Sequence, residues 1–105
     1  MHFIVTWEIY VEGEERETID QALQECLEGY EIVRVLNTSY VVKIDRRQQF
    51  AALHKAWSDV AEAHQGQVEF IMSPLMKAGQ YAGYFRQEKW EKLTVALEQG
   101  QEGQE

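Results

Sequence analysis

The pattern of apolar residues along this 105-residue chain predicts an α+β domain, one sheet carrying its helices on a single face. Three observations carry that expectation. Residues 2–11 alternate so that Phe3, Val5, Trp7, Ile9 and Val11 form an uninterrupted apolar face, while His2, Ile4, Thr6, Glu8 and Tyr10 form a mixed one. Two later stretches repeat apolar residues at three and four positions, the stripe of a half-buried helix. Between them lie two short runs rich in valine and isoleucine, split by Asn37, Thr38 and Ser39.

Taken in order, a first strand over residues 2–11 is followed by a loop around Gly13. Thr18 and Gln21 have capping-box spacing, so a helix is expected to start there, with Ile19, Ala22, Leu23, Cys26 and Leu27 as its stripe and Gly29 as its terminator. Its other face, Glu17, Asp20, Gln21, Gln24, Glu25 and Glu28, lacks any lysine. Residues 31–36 and 40–44 form a hairpin. Asp45 and Gln48 repeat the capping spacing ahead of a second helix to about His64, with Phe50, Leu53, Trp57, Val60 and Ala61 inward and Gly66 closing it. Residues 68–73 alternate as a strand, stopped by Pro74, which cannot donate to a ladder. Residues 81–85 form a short fifth strand, and Trp90, Leu93 and Leu97 mark a helix over 88–98.

Strand, helix, strand, strand, helix, strand is the order of the ferredoxin-like split βαβ arrangement. Right-handed crossovers place both helices on one face and the first strand in the middle of the sheet. One domain is therefore expected over residues 1–98, with 81–98 as an added strand and helix and 99–105 as a frayed tail of glutamine, glycine and glutamate.

Composition narrows the function. No apolar run approaches the ~20 residues of a membrane helix, and the amino terminus lacks a basic segment followed by an apolar one. Cys26, the one cysteine, has no partner for an internal disulfide. These features predict a cytoplasmic protein. The formal charge of −8 is unevenly distributed: residues 1–31 hold nine carboxylates against the lone cation Arg16, and the remainder is balanced. Nucleic-acid binding normally needs the opposite, a basic footprint on phosphates.

Local patterns also carry a family resemblance. Residues 4–9, Ile-Val-Thr-Trp-Glu-Ile, resemble the opening strand of the SinR family and its relatives, the VapD toxins and the small CRISPR-associated adaptation subunit. Residues 36–43 resemble that family's hairpin, and Tyr81-Ala82-Gly83-Tyr84-Phe85 with Lys89-Trp90-Glu91 resemble its carboxy-terminal aromatic segment and tryptophan helix. The resemblance implies a ferredoxin-like subunit that dimerises, in some members a metal-dependent nuclease in which an aspartate ending the first strand of each subunit holds a divalent cation. Glu8 stands at that position with one methylene more.

Glu8 thus has two readings. A pair of Glu8 carboxylates across a dimer would hold Mg2+ for a nuclease, or Glu8 pairs with Lys43, or with Arg34, across the sheet. His54 and His64 lack the spacing that aims two imidazoles at one zinc, and His2 lies near the terminus, so solvated or helix-end roles are expected. Cys26 falls in an apolar stripe as a small hydrophobe, Ser39 has no activating base nearby, and no phosphate-binding loop is present.

The acidic stretch is the stronger lead. Glu14, Glu17, Asp20, Glu25 and Glu28 are either a solvated face or a docking surface for a basic protein partner, including one that imitates phosphate spacing as phage inhibitors of defence nucleases do. Tyr81, Tyr84, Phe85 and Trp90 are candidates for a homodimer interface that exchanges the carboxy-terminal segment. The expected function is a non-catalytic, acidic, homodimeric interaction protein of bacterial or phage defence, using its first helix and an open sheet face and needing no cofactor. The alternatives are the Mg2+-dependent nuclease and a structural dimer subunit of a nucleoprotein complex.

Overall fold

The computed structural model describes residues 1–76 and 91–95. The elements run β1 (His2–Ile9), α1 (Glu14–Glu25), β2 (Glu31–Leu36), β3 (Ser39–Lys43), α2 (Arg47–Ala63) and β4 (Val68–Met72). They form one antiparallel sheet of order β2-β3-β1-β4, consistent with the expected ferredoxin-like arrangement. The fifth strand and the aromatic residues Tyr81, Tyr84, Phe85 and Trp90 lie outside the described residues.

β1 is central, as its one fully apolar face requires. Phe3, Val5, Trp7 and Ile9 enter a core shared with Tyr40 and Val42 of β3, Val68 of β4, Ile19 and Leu23 of α1, and Leu53 and Trp57 of α2. Both helices therefore cover the same side. Trp57, fully buried, meets Phe3, Trp7 and Phe70 at ring separations of 6.1, 6.4 and 6.2 Å. Aromatic clusters at such distances gain from edge and tilted geometries beyond their buried area.

α1 departs from its expected start. It begins at Glu14 with Gly13 as N-cap at φ 69°, and Glu17 N–H already donates to Gly13 C=O at 3.1 Å, so Thr18 lies inside the helix rather than capping it. Glu14, Glu15 and Glu17 in the first turn supply negative charge at the positive end of the helix dipole, which substitutes for a side-chain cap. The carbonyls of the last turn are satisfied from several directions. Cys26 Sγ donates to Ala22 C=O, Leu27 N–H to Gln24 C=O, Glu28 N–H to Glu25 C=O, and the Trp57 indole N–H of α2 to Leu23 C=O at 3.1 Å.

α2 also starts one residue off expectation. Arg46 is the N-cap, and Gln49 rather than Gln48 closes it, its Oε1 accepting the N–H groups of Asp45 and Arg46 at 2.7 and 3.0 Å. Asp45 makes no cap. β1 ends at Ile9, two residues early, where Tyr10 N–H donates to Gln67 C=O. In the hairpin Ser39 belongs to β3, not to the turn, and a bulge falls between Arg34 and Leu36.

The second face of the sheet is not open throughout. Val33, Val35, Val41 and Ile4 pack with Leu93, which is 2% exposed, so residues 91–95, one turn of helix, cover the β2–β3 side. The open face expected for a partner is therefore covered on its β2–β3 side by residues of the same chain. The β1–β4 side carries exposed Glu8, Tyr10, Glu69 and Ile71.

Two stability outcomes follow. Leu93→Ala should lower unfolding free energy by about 2–5 kcal/mol, the range for buried leucines, as read by urea denaturation. Trp57→Phe should cost about 1–3 kcal/mol beyond the volume change, because it strands the buried Leu23 carbonyl.

Candidate functional site: the acidic face of α1

The acidic residues of α1 sort by their side of the helix. Glu14, Glu17 and Glu25 line a shallow groove of about 700 Å³ together with Thr18, Gln21 and Ala22, positions three and four apart that share one exposed face. Glu14 and Glu15 also border a smaller recess of about 360 Å³ with Thr18, His64 and Gln67, which joins α1 to the carboxy-terminal end of α2. Glu28 is exposed in the turn beyond the helix.

Asp20 is placed differently. It is half-buried, and its carboxylate accepts a hydrogen bond from the Trp7 indole N–H at 3.2 Å and another from the Gln24 amide. Position 20 follows the buried Ile19 and so points toward the sheet. The structure thus uses Asp20 to fix the first helix on β1, away from the exposed carboxylates.

Those carboxylates have little local cation to quench them. Arg16 donates its Nη1 to Ile9 C=O at 2.8 Å, which turns it toward the end of β1. Among the described residues the ion pairs are Lys43–Glu31 at 3.1 Å and Lys55–Asp59 at 3.0 Å. Glu31 is thus neutralised, whereas Glu14, Glu17, Glu25 and Glu28 stay without an ion-pair partner among the described residues. Neutral contacts are weak: Gln21 reaches Glu25 at 3.4 Å and Gln67 reaches Glu15 at 3.5 Å.

Glu8 is not paired as expected. Lys43 stands opposite His2, six residues down β1, and takes Glu31; Arg34 donates to Asn37 C=O and lies over the Tyr40 ring. Antiparallel register instead sets Glu8 directly opposite Glu69 of β4, and the Tyr10 hydroxyl donates to Glu69 Oε1 at 2.6 Å. That hydrogen bond to a carboxylate raises the Tyr10 pKa above its usual value. Among the described residues no three or more His, Cys, Asp or Glu side chains converge to hold a metal ion.

The remaining candidates sit in packed or helix-end positions. Ser39 is buried, its Oγ 2.7 Å from Thr6 Oγ1. Cys26 is partly buried, and desolvation pushes its thiol pKa up, away from reactivity. His64 caps α2. His2, expected to be solvated, is instead 4% exposed, and its backbone bridges to Met76. Burial, with the nearby terminal ammonium, lowers its pKa to about 4.

Neither models of known protein families nor curated proteins match this chain. The described residues include no helix long and apolar enough to cross a membrane.

His2 generates a pH prediction. Its folded pKa of about 4 lies below the usual 6.5, so between those values the unfolded chain binds a proton that the folded chain refuses. Stability should therefore fall as pH drops through this window. Urea midpoints at pH 7 and pH 5 should differ more in the parent than in His2→Gln, and the imidazole should titrate near 4 by NMR.

Proposed function

We propose that this protein is a non-catalytic acidic interaction module whose α1 face docks a basic protein partner. The observation that carries this reading is the run of exposed carboxylates at Glu14, Glu17, Glu25 and Glu28, none in an ion pair among the described residues. Such a surface presents negative potential from a rigid scaffold, which speeds encounter with cations and makes binding salt-sensitive. A solvated face that only aids solubility would show neither site dependence nor saturation. The groove is shallow, so the fitting partner is a basic segment lying along the helix rather than a small molecule inserted into it. Placing the protein in bacterial or phage defence, as a nuclease inhibitor or nucleic-acid mimic, rests on the resemblance to the SinR group. The ferredoxin-like reading with an added strand and helix at 81–98 belongs to the same proposal, as does a cytoplasmic location.

A second reading, a divalent-metal nuclease, has one observation in its favour. Like charges directly opposite in a sheet are unfavourable, and Glu8 with Glu69 is such a pair. A hydrated Mg2+ bridging them would relieve that repulsion, since magnesium takes one or two carboxylates and keeps its waters.

The two readings separate in solution. Anisotropy of a labelled Lys/Arg-rich peptide should report saturable binding at low salt that is lost toward ~1 M salt. Reversing Glu14, Glu17 and Glu25 to lysine should weaken it by roughly tenfold or more, while reversing Asp45, Asp59 and Glu62, the same change of net charge, should leave most of it. Equal losses from both sets would reduce the acidic face to bulk charge. The nuclease reading requires Mg2+-dependent cleavage of RNA or DNA that Glu8→Ala abolishes.

A further inference from the structure

The two edges of the sheet are not equally protected, and an unprotected edge is a template for another strand. β2 carries a bulge between Arg34 and Leu36, and the Arg34 guanidinium folds back onto Asn37 C=O at 2.6 Å. β4 has neither device. It reads Val-Glu-Phe-Ile-Met with no bulge in its pairing to β1, no proline and no lysine, and Ile71 is 68% exposed. Among the described residues no strand lies beyond it.

The hydrogen bonds to β1 tell which groups of β4 face outward. Ser73 N–H donates to Ile4 C=O, and Gln67 C=O accepts from Tyr10 N–H, so the odd-numbered residues from 67 to 73 spend their backbone groups on β1. In a strand these directions alternate. The N–H and C=O groups of Val68, Phe70 and Met72 therefore point to the free edge.

We infer that this edge pairs with β4 of a second copy of the chain, antiparallel about a two-fold axis at Phe70. The register is selected by charge and by proline. Centred on Phe70, Val68 meets Met72 of the partner subunit with their backbone groups facing, and Glu69 stands opposite the partner's Ile71. Centring on Glu69 sets it against its own copy, beside a Glu8–Glu69 opposition already present in each chain. Centring on Ile71 carries Val68 opposite Pro74 of the partner subunit, which has no N–H to give. The Phe70 register alone uses the full strand and avoids both faults. It is isologous, so it closes after two copies instead of propagating. His54 of α2, with its ring 6.1 Å from that of Phe70, flanks the junction and marks α2 as the helix that approaches its own copy there.

Position 71 tests the register without disturbing the core, being exposed in the single chain. Sedimentation of the full chain up to about 100 μM should show a reversible dimer. Ile71→Glu sets carboxylates opposite Glu69 of the partner subunit twice by symmetry and should weaken the dimer by roughly tenfold, whereas Ile71→Lys sets an ammonium there and should hold or tighten it. Exchanging the charges, Glu69→Lys with Ile71→Glu, should restore what Ile71→Glu loses. Circular dichroism checks that each variant is folded. A monomeric parent overturns the inference. So does a dimer that responds alike to both single variants or to neither. So does one that ignores residue 71 and is lost in a chain ending at residue 79, which is carboxy-terminal exchange instead.

Discussion

The Trp57 indole ties the molecule together. It is the largest fully buried side chain, it touches aromatic rings from β1 and β4, and its N–H closes the carbonyl of Leu23 at the end of α1. α1 ends without a basic residue in its last turn, the side chain that would ordinarily offset the negative end of the dipole. A buried carbonyl left open there would cost more than a typical hydrogen bond gains. By supplying the donor from α2, the fold lets α1 stay acidic along its whole outer face.

The sheet divides its two faces in a comparable way. The helix side is filled by odd-numbered residues of β1, and the register to β3 and β4 follows from them, since a shift by one residue would exchange every buried side chain for an exposed one. The other side is split along its width. Valines of β2 and β3 with Ile4 are sealed by Leu93, while the β1–β4 half carries Glu8, Glu69, Tyr10 and Ile71 to solvent. That half holds the opposed carboxylates and adjoins the unprotected edge. The proposed docking on α1 and the inferred self-pairing on β4 would therefore occupy separate surfaces, and neither needs the other to be absent.

Much of the fold was legible in residue pattern. The alternation of 2–11, the stripes through Leu23 and Trp57, and the turn at Asn37–Thr38 each reflect a local period, and each placed its element within a few residues. Boundaries were harder, because caps were chosen by competition: Gly13 with three glutamates outweighed Thr18, and Gln49 reached the backbone that Gln48 did not. The common face of Glu17 and Glu25 was also readable from helical spacing, whereas Glu14 joins it only because α1 begins four residues ahead of Thr18.

Pairings across elements were another matter. The sequence by itself determined the order of elements, the central place of the first strand and the acidic excess of its first third, since these depend on side chains near in the chain. Only tertiary structure decided that Asp20 serves Trp7, that Lys43 takes Glu31 and leaves Glu8 facing Glu69, that His2 is buried, and that Leu93 closes the second face. Each joins residues whose separation along the chain exceeds any local period, and each was fixed by strand register and by which buried group needed a partner.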